Sequence, residues 1–199
     1  MNLLEIIQSK LGEEKVDEMS RSLGENKEGT LSALGNAVPL IVSAMARNTR
    51  SEEGANSLAG ALDRDHDGSI LDNLGGLIQN PEAGQGQGIL GHVLGNKRPV
   101  AEKAVSERSG ISLESAGKVL AIAAPIVMGL IGKKKRENNM DGGGIAGMLA
   151  GIASSQETDD ESGGTGSGFG SLVSGLLDRD GDGNVMDDIG GIIGGFLNR

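Results

Sequence analysis

The sequence predicts an all-α protein, and three observations carry that expectation. Apolar residues recur at close to 3.6-residue spacing from residue 3 onward. Aromatic residues make up only 1% of the 199, with no Trp or Tyr to fill the pleated face of a sheet. Glycine accounts for 35 residues, so a core of Leu, Ile, Val, Met and Ala is expected in short, thin helices whose small residues allow close approach.

The elements follow in order. Leu3, Leu4, Ile6, Ile7 and Leu11 line one face of a first helix that Gly12 ends. A second helix runs from Glu13 to Leu23, with Val16, Met19 and Leu23 on one side and Gly24 closing it. Asn26 is the N-cap of a third, running to about Asn48. Within it Pro39 lacks a backbone donor and clashes with the preceding turn, so a kink or interruption is expected there. Ser51 caps a short helix leading to an acidic loop, and Ile70–Ile78 leaves that loop as another.

The pattern then begins again. A shift of 86 residues lays Ala37-Val38-Pro39-Leu40 on Ala123-Ala124-Pro125-Ile126. Without a gap, it also pairs Ile7 with Val93, Met19 with Val105, Gly24 with Gly110, Asn26 with Ser112 and Leu34 with Leu120. Residues 1–50 and 86–136 thus read as two copies of one three-helix unit, with 51–80 holding the first acidic loop and its flanking helices. The acidic, Gly/Ser-rich stretch 137–168 reads as a flexible linker, with a short helix at Ile145–Ala153 inside it. Residues 169–199 carry a second acidic loop with flanking helices.

The two acidic loops hold the chemistry. Asp63, Asp65 and Asp67 alternate, followed by Gly68, Ser69 and Asp72; Asp178, Asp180 and Asp182 alternate likewise, followed by Gly183, Asn184 and Asp187. Carboxylates so close repel one another unless a cation sits among them. An EF-hand loop takes ligands at positions 1, 3 and 5, a backbone carbonyl at 7, and a bidentate Glu at 12, with Gly at 6 for the sharp turn. Counting from Asp63, the first eight positions agree with that scheme. Position 12 does not, being Leu74 in one loop and Ile189 in the other, while Asp72 and Asp187 fall at position 10. The expected ligands are therefore Asp63, Asp65, Asp67, Ser69 and Asp72 in the first loop and Asp178, Asp180, Asp182, Asn184 and Asp187 in the second. Asp188 and Asn73 are supplementary candidates. Ca²⁺ suits a crowded oxygen cage better than Mg²⁺, and zinc is disfavoured without Cys or paired His.

Other classes are weakened. A net charge of −10 (18 basic against 28 acidic residues) disfavours nucleic acid as a partner. The Gly-rich segments lack the Lys-Ser/Thr of a phosphate loop. No nucleophile–base pair is visible, no small-molecule substrate is evident, and the expectation is not an enzyme. Lys133-Lys134-Lys135-Arg136 reads as a solvated helix end complementing the helix dipole. His92 pairs with Ile6 under the 86-residue shift and is expected on or near a buried face. No N-terminal signal and no uncharged apolar run of about 18 residues is seen, so membrane insertion is not expected and the default location is cytoplasmic. Non-classical export or a cell-surface location is the alternative, because extracellular modules bind calcium at about 10⁻⁴–10⁻³ M.

Pro39-Leu40-Ile41-Val42, the run from Leu62 to Leu77, Gly88-Ile89-Leu90-Gly91-His92-Val93-Leu94-Gly95 and the apolar stretch around Pro125 resemble the YidB-like bacterial domain of unknown function. The resemblance covers about residues 1–136 and the loop at 171–197. It implies short helices in a homeodomain-like arrangement and a bacterial source, and no activity. The shortened loops resemble dockerin-like and Excalibur-like calcium modules. Two readings follow: a calcium-stabilised structural or interaction protein that self-assembles as a homo-oligomer or filament, and a calcium-responsive regulator or calcium buffer.

Overall fold

The computed structural model describes residues 3–66, 68–81 and 85–158. Helix α1 (Leu3–Leu23) is broken at Gly12, whose φ of 65° and ψ of 169° are not helical. The expected stop at Gly12 is thus a bend between two helical segments. Helix α2 (Lys27–Asn48) starts at Asn26, whose side chain accepts a 2.7 Å hydrogen bond from the Gly29 N–H. Helix α3 (Glu52–Arg64) starts at Ser51, whose Oγ accepts from the Gly54 N–H. A short 3-10 turn (Ser69–Asp72) and helix α4 (Leu74–Gln79) follow. Helix α5 (Gly86–Leu94), a 3-10 turn (Gly95–Lys97) and helix α6 (Arg98–Ser109) lead to α7 (Leu113–Glu137) and α8 (Gly142–Thr158). There is no strand among the described residues.

Shifting the chain by 86 residues carries α1 with its break onto α5, the second 3-10 turn and α6, and carries α2 onto α7. The N-caps correspond as well: Ser112 Oγ accepts from the Ser115 N–H as Asn26 does from Gly29. Both repeats belong to one compact unit, Met1–Ala153. A second unit, Ser154–Arg199, falls almost wholly outside the described residues.

The core forms where α2 packs on α7, with α1, α3, α5, α6 and the first 3-10 turn against α7. Every residue of α7 from Val119 to Gly132 is buried, as expected of a helix that is apolar all round. Neither proline interrupts its helix: α2 continues through Pro39 and α7 through Pro125. The interruption expected at Pro39 does not occur, because buried neighbours on both sides (Ala37, Val38, Leu40, Ile41) hold the helix in place. Pro125 leaves the Ala121 carbonyl without its helical donor, and the backbone of Gly86 packs directly on that carbonyl, where a Cβ would have no room.

The repeats touch reciprocally. Ser115 Oγ donates to the Leu23 carbonyl at 3.3 Å, and Gly29, the counterpart of Ser115, faces the carbonyl of Ser109, the counterpart of Leu23. Glu25 reaches across to the start of α7, its Oε1 accepting from the Ser112 N–H at 2.9 Å. That bond and the hydroxyls of Ser115 and Ser112 hold the Glu25 carboxyl below its ordinary value.

Two expectations change here. Helices α2 and α7 are long and apolar enough to cross a membrane, contrary to the expectation that no segment qualifies. Their apolar windows are 67% and 89% buried against the rest of the protein, so protein covers most of that surface. Within the stretch 137–168, the short helix expected at Ile145–Ala153 forms and is longer than expected. Helix α8 fills 142–158, because the Asp141 side chain accepts from the Gly144 N–H at 2.8 Å and Ile145 and Leu149 are fully buried. The remainder, 159–168, lies outside the described residues.

Candidate metal centre

The first acidic loop starts inside α3. Asp63 lies in the last turn, and Asp65 is the C-cap, its N–H donating to the Ala61 carbonyl at 3.0 Å. Two acids at a helix C-terminus oppose the helix dipole, with Arg64 between them in the same turn to offset part of that charge. Gly68 then adopts φ 96°, a left-handed turn costly for a residue with a side chain. Ser69 and Asp72 lie exposed on the following 3-10 turn, in which the Leu71 N–H donates to the Gly68 carbonyl. The Asn73 side-chain oxygen caps α4 by accepting from the Gly76 N–H at 3.2 Å.

Both helices flanking the loop are anchored. Leu62 is buried on the α7 side. Leu74, Leu77 and Ile78 bury α4 against α1, where Gln79 Nε2 donates to Glu18 Oε1 at 2.8 Å. The turn itself rests on the last part of α7. The His66 carbonyl lies where a Cβ on Gly132 would be, and Ile70 and the Gly68 backbone pack on Gly129. Burial on this surface pushes the His66 imidazole pKa down, against a smaller upward pull from the Asp65 charge.

Positive charge reaches the loop from α7. Lys135 Nζ pairs with Asp63 Oδ1 at 2.5 Å, with the Lys135 side chain only 13% exposed and that of Asp63 54% exposed. Around Gly68 lie the Lys133 stem and the Arg136 guanidinium. The basic run is therefore more than a solvated helix end. Nothing local in the sequence pairs Lys135 with an acid 72 residues away; the nearest clue is the Gly129–Gly132 spacing just ahead of the lysines.

Of the expected ligands, Asp63, Asp65, Ser69 and Asp72 are described on this loop. Asp67 lies outside the described residues, as do Asp178, Asp180, Asp182, Asn184, Asp187 and Asp188. Among the described residues, no three His, Cys, Asp or Glu side chains gather closely enough to hold a metal. The donor set is nonetheless all oxygen, the chemistry that suits a hard divalent cation.

Beside the loop lies an open groove of about 710 Å³, floored by Met45, Leu58, Ile89 and Met128. Both histidines line it, and His92 is exposed, not buried as its pairing with Ile6 suggested.

No curated protein and no solved structure matches the chain. A family does match, described as "Bacterial protein of unknown function (DUF937)", with YidB among its members, over residues 5–134. The matched span includes the first acidic loop, all of α2, α7 as far as Lys134, and the helix-interior prolines Pro39 and Pro125, and the second acidic loop falls beyond it. With well over half of its residues matched, the chain belongs to this bacterial family.

Proposed function

We propose that this protein is a calcium-binding, non-enzymatic structural protein whose acidic loops staple helices together and which self-assembles as a homo-oligomer. The observation that supports the reading is Gly68. At position six of the loop it adopts the left-handed turn that a cation-wrapping loop requires there. Asp63, Asp65, Asp67, the Ser69 carbonyl and Asp72 would hold the ion in the first loop, and Asp178, Asp180, Asp182, Asn184 and Asp187 in the second. A bound Ca²⁺ would supply positive charge at the acidic end of α3. The chain's own contribution is to fix both exits of the loop, α3 against α7 and α4 against α1. With no acid at position 12, the loop lacks the arm by which sensor loops pull an exit helix, which favours a staple over a switch.

Calorimetry of the full chain with calcium tests this. Two sites are expected, one lost with Asp65→Ala and the other with Asp180→Ala; absence of calcium binding in the unsubstituted chain overturns the reading. The alternative is a calcium-responsive regulator or buffer, favoured by the pairing of Lys135 with Asp63, which gives an ion something to displace. Light scattering with calcium and with chelator separates the two. Calcium-dependent assemblies support the staple, and a monomer that changes only its helicity supports the regulator.

A further inference from the structure

We propose that a cleft lined by α1, α7 and α8 binds a medium-chain fatty acid, its tail among apolar side chains and its carboxylate held by lysines. The cleft has a volume of about 210 Å³. Its apolar lining comes from Ile6 of α1, Leu71 of the first 3-10 turn, Leu130 and Ile131 of α7, and Met148 and Ile152 of α8. Lys10 of α1 and Lys133 and Lys134 of α7 line it too, together with Glu137. Lysines at the end of α7 complement its dipole on their own account. Lys10 comes from a different helix, so the cations converge on the cleft and not merely on one helix end. Glu137 pairs with Lys134 at 3.4 Å, and no carboxylate among the described residues pairs with Lys10 or Lys133. In a chain of net charge −10, this apolar cleft is thus locally cationic, the complement of an apolar molecule with an anionic end.

Size and chemistry narrow the occupant. Pockets for drug-sized ligands hold about 300–1,000 Å³, so this cleft suits one short chain and not the two tails of a membrane lipid. A peptide would bring backbone N–H and C=O groups that the six aliphatic walls could not satisfy. An alkyl chain brings none, and its single carboxylate stays at the mouth, where exposed ammonium groups meet it in water. The larger groove beside the acidic loop makes a contrast: Arg64 and Asp65 both line it, so its charges select neither sign.

The test is calorimetry of the full chain with hexanoate and octanoate, and with octylammonium as the same tail carrying the opposite charge. One site is expected, tightening about fourfold for each methylene added, with no binding of octylammonium. Lys10→Gln combined with Lys133→Gln should weaken octanoate about tenfold. Lys103→Gln combined with Lys118→Gln, on lysines that do not line the cleft, makes the same change in net charge and should stay within about twofold. Should the first pair perturb folding, as far-UV circular dichroism would show, Lys10→Gln alone is expected to cost about threefold. Absence of octanoate binding, equal binding of octylammonium, or octanoate binding indifferent to Lys10 and Lys133 overturns the inference. Binding to phosphatidylglycerol vesicles without binding to octanoate overturns it as well, since the lysines would then serve a membrane surface.

Discussion

Gly132→Ala is the sharpest test of how the acidic loop is held. Gly132 lies inside α7, where exchanging glycine for alanine normally gains about 1 kcal/mol of helix stability. Here the added methyl would enter the space of the His66 carbonyl oxygen, and would meet the carbonyl carbon at 3.1 Å and Leu62 Cδ2 at 3.6 Å. The obstacle is backbone, so it cannot rotate away as a side-chain tip would. Overpacking of a well-filled site costs about 1–3 kcal/mol, and a backbone obstacle belongs in the upper part of that range. The net expectation is a loss of about 1–2 kcal/mol, or about 2–8 °C in Tm for a domain of this size. Urea unfolding followed by far-UV circular dichroism measures it, with Gly117→Ala as the control. At position 117 of the same helix the nearest atom is Glu102 Oε1 at 3.3 Å, a flexible end, and the substitution should be neutral or stabilising. A Gly132→Ala protein as stable as the Gly117→Ala protein would refute the close packing of loop on helix.

Glu25→Gln should flatten the acid limb of the stability curve. The folded state holds the Glu25 carboxyl below its ordinary value of 4.5, so its contribution is complete above that pH and is lost as pH falls through the lowered value. Thermal unfolding between pH 3 and 6 reads the effect, and identical slopes for the two proteins would contradict the bond to Ser112. Gly91→Ala in α5 and Gly147→Ala in α8 should each raise stability by up to about 1 kcal/mol, because an added methyl meets nothing within 4 Å at either site. A loss at either position in urea unfolding would show that space to be filled.

Most of the helical skeleton was legible in the sequence because its signals are local. Asn26, Ser51 and Ser112 cap the helices they were expected to cap, and the apolar spacing that ends near Asn48 ends α2 there. Misreadings arose where a local rule met tertiary packing. Pro39 looked like a break, but the buried residues around it keep α2 continuous. In the Gly-rich stretch after Asn139 the helix expected at Ile145–Ala153 forms, but an aspartate cap starts it earlier, at Gly142. In the candidate site, the acids and Gly68 could be read from their spacing alone. Lys135 could not, because the fold, not any spacing, brings α7 beneath the loop. The cap role of Asn73 was hidden too, since an amide beside four acids reads equally well as a ligand.

The reciprocal contacts between the repeats have a consequence for association. Leu23 with Ser115, and Ser109 with Gly29, form the isologous pattern of a two-fold homodimer, written into one chain by duplication. Each half therefore carries a surface complementary to the other half of any copy. Exchange of halves between two chains would rebuild the α2–α7 core without a single new contact. The two halves are joined through residues 49–85, the part of the chain that carries the first acidic loop. Mutual exchange closes a dimer, while exchange passed from chain to chain extends a filament. A swap of this kind would use the surfaces already buried between the halves and no dedicated outer surface.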